Sequence, residues 1–319
     1  MTDATPTTRA GFAAVIGAPN AGKSTLVNRL VGSKVSIVTQ KVQTTRFPVR
    51  GVMIHGDAQV VLVDTPGIFK PKPSRRIDRA MVRSAWTGAE DADAVVHLVD
   101  AQAQAAVTDG GGASPADRRA AEDVATIIEG LKAAGRKVIL VLNKIDGMKR
   151  DRLLALADAL FGSEAYEEVF MISAATGDGV EDLQARLGVL MPLGPWLYPA
   201  DQAADLPVRL LAAEITREKL FLRVHEELPY SAAVETTAFE ERRDGSARIE
   251  QTVYVERESQ RPIVLGRGGQ TLKWIGEKSR TELTELLERP VHLFLTVKVD
   301  DRWQDRRDLY SAVGLDFDV

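Results

Sequence analysis

Five short apolar runs punctuate the first 190 residues: "FAAVIG", "QVVLVDTPG", "AVVHLVDA", "KVILVLNK" and "EVFMISA". They are short, β-branched and nearly continuous, the pattern of strands buried on both faces. Helical stretches lie between them, among them Lys23–Val31 and Arg118–Ala134. Strand alternating with helix predicts an α/β fold with a doubly wound, mostly parallel sheet, whose ligands bind at the carboxyl ends of the strands. One segment breaks the alternation. "AQAQAAVTDGGGASPADR" (Ala101–Arg118) is Ala/Gly-rich and aperiodic, and reads as a mobile loop.

Past Leu190 the pattern changes. "PLGPWLYPADQAADLP" holds four prolines and reads as a connection between domains. Beyond it, Val208, Leu211, Ile215 and Leu222 fall on one face of a helix. Two strand-like runs, Ala233–Glu241 and Arg248–Glu256, follow around a turn at Asp244-Gly245. A short apolar segment, the loop Gly266–Gly269, a helix with Leu272, Ile275, Leu283 and Leu286 inward, and the strand "VHLFLTVKV" complete the order. The expected division is a first domain over residues 1–195, a linker over 196–206 and an α+β domain over 207–319.

At 319 residues the chain is too long for one small core, and two domains fit. It has no cysteine, which excludes disulfides and thiolate metal ligands and fits a reducing cytosol. The start carries an acid at Asp3 and no apolar core of signal-peptide length, and no run approaches the roughly 18 residues of a membrane span. The expectation is a cytoplasmic monomer. Four histidines (His55, His97, His225, His292) are scattered and read as structural. The net charge of −4 argues weakly against nucleic acid. Between Arg261 and Arg280, however, five basic residues stand against Glu277 alone, a local +4 around the second glycine loop.

The first glycine loop carries the chemistry. Gly17, Ala18, Pro19, Asn20, Ala21, Gly22, Lys23 and Ser24 follow a strand and open a helix, the context of a phosphate-binding P-loop. Its backbone N–H groups cradle phosphate oxygens, Lys23 reaches the β/γ-phosphates, and the Ser24 hydroxyl ligates Mg²⁺. Thr25 reads as helix packing at the edge of the cradle. Asp64 ends the strand "VVLVD", placed to hold the metal; Thr65, Pro66 and Gly67 follow, with the Gly67 N–H available to the γ-phosphate. "NKID" (Asn143, Lys144, Ile145, Asp146) selects the base. Guanine shows two adjacent donors that one carboxylate, Asp146, accepts, whereas adenine would leave a buried oxygen unpaired. Asn143 and Lys144 brace the base and the P-loop, and Ser173, Ala174 and Ala175 bring a backbone N–H to the guanine oxygen. In this order at these strand ends, the motifs predict GTP binding and hydrolysis to GDP.

A switch threonine should complete the metal set; Thr44 and Thr45 are the candidates, with Thr45 preferred and Thr39 third. Many GTPases place a water-orienting glutamine where this chain has Ile68. Turnover is therefore expected to be slow, unless transition-state charge is stabilised otherwise. Asn20 is either a turn asparagine or a side-chain oxygen for K⁺, and Arg46 is a weaker candidate for a cis arginine. A GTP-holding RNA chaperone with negligible turnover is the competing reading; a small-molecule kinase explains neither "NKID" nor the second domain.

In the second domain, Gly266, Arg267, Gly268 and Gly269 form a Gly-x-x-Gly turn between helices, the feature with which KH domains clamp single-stranded nucleic acid. Arg267 and Lys273 supply charge; Ile263, Val264 and Leu265 are expected to line an apolar groove for bases.

The ordered set "GAPNAGKS", "QTTR", "DTPG" with an apolar successor, "NKID", "SAATG" and "IVLGRGGQTLKWIG" resembles the Era family of bacterial GTPases, from about Gly11 to Gly314. The stretches "ELPYS" and "VHLFLTVKV" also fit. The resemblance implies a type II KH domain and a role in maturing the small ribosomal subunit. It implies binding to the 3′ end of small-subunit ribosomal RNA, strongest with GTP. It also implies K⁺ activation through Asn20 and peripheral association with the inner membrane. The insertion after Ala101 is longer than the family pattern, and "SAVGLDFDV" departs from its usual ending.

Overall fold

The apolar runs alternate between two cores, which explains why polar residues are nearly absent from them. In the computed structural model, which describes residues 7–39, 41, 43–73, 75–108, 112–224 and 228–319, the chain divides into two units. One comprises the chain up to Ser36, Thr45–Asp205 and Val319; the other comprises Ile37–Thr44 and Leu206–Asp318. The opening residues through Pro6, Val42, the centre of the Ala/Gly segment (109–111), His225 and Glu227 lie outside the described residues.

The first unit begins β1 (Arg9–Ile16), α1 (Lys23–Val31), β2 (Val49–His55), β3 (Ala58–Asp64) and α2 (Arg76–Glu90). It continues with β4 (Ala94–Asp100), α3 (Ala101–Thr108), α4 (Pro115–Ala133), β5 (Val138–Asn143) and α5 (Arg150–Phe161). Strand β6 (Tyr166–Met171), α6 (Val180–Leu190) and the two-residue β7 (Ala204–Asp205) close it. The seven strands lie in the order β6-β5-β4-β1-β3-β2-β7. All neighbours pair in parallel except β2, which is antiparallel to both β3 and β7.

Along β4, Val95 and Val99 join a core with residues of α2, α4 and α5. The intervening Ala94, Val96 and Leu98 join another with α1 and α6. Strand β5 splits the same way, with Leu140 and Leu142 in the first core and Ile139 and Val141 in the second. A period-two strand under helices on both faces is therefore apolar at most of its positions. Strand β2 departs from that run, with Arg50 exposed and Gly51 interrupting it, so an unbroken apolar stretch does not mark it.

Two expectations change. Ala101–Thr108, read as mobile loop, is helix α3. Ala101, Ala103 and Ala105 are buried, and the helix packs on α4 and α5. Alanine has the highest helix propensity yet leaves no apolar period to detect. Helix α4 starts earlier than expected, at Pro115. Ser114 caps it by accepting the Asp117 N–H, and the Asp117 carboxylate answers at the Ser114 N–H, a capping box.

The Pro-rich stretch runs along the first unit. Fully buried Gln59 donates to the Tyr198 carbonyl (2.8 Å) and accepts from the N–H groups of Leu197 (2.8 Å) and Tyr198 (2.9 Å).

The second unit contains α7 (Val208–Arg223), β8 (Ala232–Glu241), β9 (Ala247–Val255), α8 (Arg261–Leu265), α9 (Gln270–Leu286), β10 (Val291–Val299) and α10 (Arg307–Ala312). Its sheet runs β10-β9-β8, with β8 antiparallel and β10 parallel to β9. A parallel return needs a long crossover, supplied by α8, the glycine loop and α9. Leu220, Val253, Val264, Ile275 and Val297 share its core. Val208, Leu222 and Leu286, expected inward, are exposed. The buried side of α7 centres instead on Ala212, Ile215, Leu220 and Phe221. Within this unit, the nearly buried Arg217 pairs with Glu214 and donates to the Thr44 carbonyl.

Candidate functional site

Gly17–Ser24 connects the end of β1 to the start of α1, at the carboxyl edge of the sheet. Asn20 (φ 63°) and Gly22 (φ 101°) take left-handed backbone. A β-carbon at Gly22 would lie 2.3 Å from Asn143 Nδ2, so close approach as well as torsion requires glycine there. The Lys23 ammonium turns back into the loop and donates to the carbonyls of Gly17 (3.1 Å) and Ala18 (2.9 Å). Burial lowers its pKa to about 8, with Asp64 pulling in the opposite direction. A cation held this far from water is predisposed to meet phosphate oxygens.

Ser24 Oγ lies 2.7 Å from Asp64 Oδ2 and 2.8 Å from Thr45 Oγ1, and Thr45 Oγ1 lies 3.2 Å from the same carboxylate oxygen. Three hard oxygen donors thus converge from the P-loop, the segment after it and the end of β3. Asp64 is fully buried, and burial raises its pKa. Its Oδ1 has no hydrogen bond of acceptable geometry among the described residues, nor has the nearby Ser36 hydroxyl. An orphaned carboxylate oxygen beside two hydroxyls fits the oxygen ligation of Mg²⁺. Thr44 is turned elsewhere, its hydroxyl donating to the Lys41 carbonyl (2.7 Å) and lying 2.6 Å from that of Thr39.

Gly67 packs against Pro19, and the Ile68 N–H donates to the Gly17 carbonyl at 3.1 Å. The Thr65 hydroxyl donates to the Val15 carbonyl at 2.8 Å. These bonds bring the Asp64–Ile68 segment under the phosphate loop. The Ile68 side chain is buried and offers nothing to orient a water.

At the other end of the cradle, Asn143 Nδ2 donates to the Ala21 carbonyl (2.8 Å), and its Oδ1 accepts the Ala174 N–H (2.9 Å). Lys144 Nζ donates to the Asn20 carbonyl (2.8 Å). Ser173 Oγ donates to Asp146 Oδ1 at 2.7 Å, orienting an exposed carboxylate. The Ser173 N–H goes to the Asp178 carbonyl. Ile145 packs against the core below.

In the second unit, Gly266 (φ 73°), Gly268 (φ 61°) and Gly269 (φ 78°) are all left-handed. A β-carbon at Gly266 would lie 2.3 Å from Thr271 Oγ1. Arg267, Gly268 and Lys273 are exposed, as is Ile263. Val264 differs from expectation: its side chain is fully buried in the core. Leu265 is half-buried and packs on that core.

A family model described as 50S ribosome-binding GTPase matches residues 12–144, and one described as KH domain matches residues 227–304. GTPase Era of Caulobacter vibrioides (strain NA1000 / CB15N) is 71% identical over 319 residues, covering 100% of both chains. The chain belongs to the GTPase Era family. GTPase Era of Maricaulis maris (strain MCS10) is 61% identical, over 98% of each chain. Among solved structures, an Aquifex aeolicus Era variant bound to GDP·AlF4⁻ superposes with a TM-score of 0.85 at 37% identity. The alignment covers 96% of this chain and 99% of that one. A crystal structure of Era in complex with MgGDPNP and nucleotides 1506–1542 of 16S ribosomal RNA matches with the same score, identity and coverage.

Membership of the Era family gives the two loops one context, and the side chains around the base end show what motif reading missed. Arg29, on α1, donates to the Ala174 carbonyl at 3.2 Å and to that of Ala175, bracing the Ser173–Ala175 loop from beneath. Asp100, at the end of β4, takes the Lys144 ammonium at 2.5 Å. An acid at a strand's carboxyl end was legible as a signal; an arginine in the helix after the P-loop was not.

Proposed function

We propose that the chain binds GTP with Mg²⁺ in the first unit and hydrolyses it slowly to GDP and phosphate. Through the Gly266–Gly269 loop of its KH domain it binds the 3′ end of small-subunit ribosomal RNA, in small ribosomal subunit assembly. The observation that carries this reading is the convergence of Ser24, Thr45 and Asp64 beside Lys23, in a chain that ends in a KH domain. The Era complex with 16S ribosomal RNA supports the RNA assignment.

The roles follow from placement. Lys23 holds the β/γ-phosphates, while Ser24, Thr45 and Asp64 hold the metal. When bound, Mg²⁺ neutralises phosphate charge. The Gly67 N–H meets the γ-phosphate, and Asp146 accepts both guanine donors. Water attacks the γ-phosphorus and the bond to the β-phosphate oxygen breaks, releasing GDP. With Ile68 apolar, the Asn20 side-chain oxygen would hold K⁺, which would supply charge stabilisation beside the β/γ-phosphates. We place the protein in the cytoplasm as a monomer, with peripheral membrane association as the family resemblance implies. Among the described residues no helix is long and apolar enough to cross a membrane.

The buried Ile68 also favours a second reading, an RNA chaperone that holds GTP and scarcely turns it over. Steady-state turnover in K⁺ and in Na⁺, with and without RNA, separates the two. Stimulation by K⁺ and RNA supports the GTPase cycle; a flat, negligible rate under all four conditions supports the chaperone.

A further inference from the structure

We infer that Gln102, on helix α3, is a positioning residue for guanine recognition. Its amide fixes the backbone that carries Asp146. Asp100 Oδ1 accepts the N–H groups of Gln102 and Ala103, both at 3.1 Å, and so starts α3 at the mouth of the base site. Gln102 Nε2 then donates to the Lys144 and Asp146 carbonyls, each at 2.9 Å. One primary amide has two N–H donors, so both bonds form together.

The loop needs such a clasp. Lys144 (φ 64°) and Gly147 (φ 82°) are left-handed, so the backbone between them bends sharply, and its carbonyls at 144 and 146 turn toward one point. Ser173 orients the Asp146 side chain, while the Gln102 amide crosses the turn that carries it. Asp100 and Gln102 together therefore grip Lys144 by side chain and main chain and Asp146 by main chain. The segment that composition marks as a featureless insertion supplies both the helix and the clasp. Gln102 acts through Asp146 and needs no contact with the base. The inference rests on the proposed role of Asp146, and the test separates the two.

The measurement is release of a fluorescent GDP analogue from the full-length protein, with competition by GDP and by IDP, which lacks the guanine amino group. Gln102→Ala should speed GDP release about fivefold, the scale of one or two neutral hydrogen bonds, and narrow the preference for GDP over IDP. Gln102→Glu, which sets a carboxylate against two carbonyls, should do more. Gln104→Ala controls for the helix. In an Asp146→Asn background the Gln102→Ala effect should vanish, because coupled residues are non-additive. Wild-type release and selectivity in Gln102→Ala, with selectivity relaxed in Asp146→Asn, overturns the inference alone. Equal losses for GDP and IDP that persist beside Asp146→Asn also overturn it, as a general loosening of the fold. An unchanged preference in Asp146→Asn removes the base assignment and this inference with it.

Discussion

The glycine loop of the first unit closes on a lysine that is almost wholly buried, whereas that of the second leaves Arg267 and Lys273 in water. Lys23 is held by two loop carbonyls, and the loop itself is tied to Asn143 and Lys144. Gly268 and Gly269, by contrast, have open space around them. The first loop takes on the cost of desolvating its charge when the chain folds, so its site is preorganised for one compact anion. The second keeps its charge hydrated until a polyanion arrives, which suits an extended strand and makes binding dependent on salt. One residue type, glycine, thus serves a built cradle in one place and an open clamp in the other.

Substitutions sharpen that contrast. The largest effect is expected from Lys23→Met, which should weaken GTP binding by about a thousandfold or more, since a buried phosphate would lose its charged partner. The same change removes a buried ammonium, so the nucleotide-free protein should melt a few degrees higher. Calorimetric titration and thermal unfolding read the two. A lower melting temperature would show that the buried charge does not burden the empty loop.

Next, Asp146→Asn should reduce the preference for GTP over xanthosine triphosphate by about a hundredfold or more, since an amide donates where guanine donates. Competition binding checks it.

The third effect is a pH dependence confined to the first loop. Lys23 is a base whose folded pKa, about 8, lies below its ordinary value of 10.5. Between those limits the unfolded chain binds more protons, so nucleotide-free stability should rise through the window, with the deficit fully present below pH 8. Nucleotide binding requires the protonated form, so GTP affinity should fall above pH 8, approaching about tenfold per pH unit. RNA affinity should not follow this curve.

The smallest effect is Arg267→Ala, which should weaken RNA binding several-fold. It should also flatten the logarithmic salt dependence by about 0.7 for each phosphate no longer neutralised. Affinity measured over a salt series tests it.

How much of this was legible depends on what each element buries. The five strand runs announced themselves because each is mostly apolar, feeding a core on either face of the sheet. The P-loop lysine and serine, Asp64 and the "NKID" motif sit at strand ends, where position alone implies chemistry, and the structure gathers them in one unit. Helix α3 was hidden because alanine carries no amphipathic signal, although its partners α4 and α5 bury it. Val264 was misassigned because residues next to a glycine turn look equally available in sequence, and only the fold turns that side chain inward. Val208 and Leu222 were drawn inward by helical spacing, but packing against α9 and β8 set a different buried side. Gln102 and Arg29 lay beyond sequence reading altogether. They act through main-chain carbonyls, which any donor of suitable length can reach, and such bonds leave no motif.

The central claim is that two glycine loops serve two ligands, a guanine nucleotide and a ribosomal RNA end. Crosslinking and sequencing of RNA bound to the GTP-loaded protein in cells, beside a variant carrying Gly268→Asp and Gly269→Asp, tests it most directly. Reads concentrated at the 3′ end of small-subunit ribosomal RNA, and absent in a variant that still binds GTP, are the predicted result. Scattered reads, or reads indifferent to the substitutions, would contradict it.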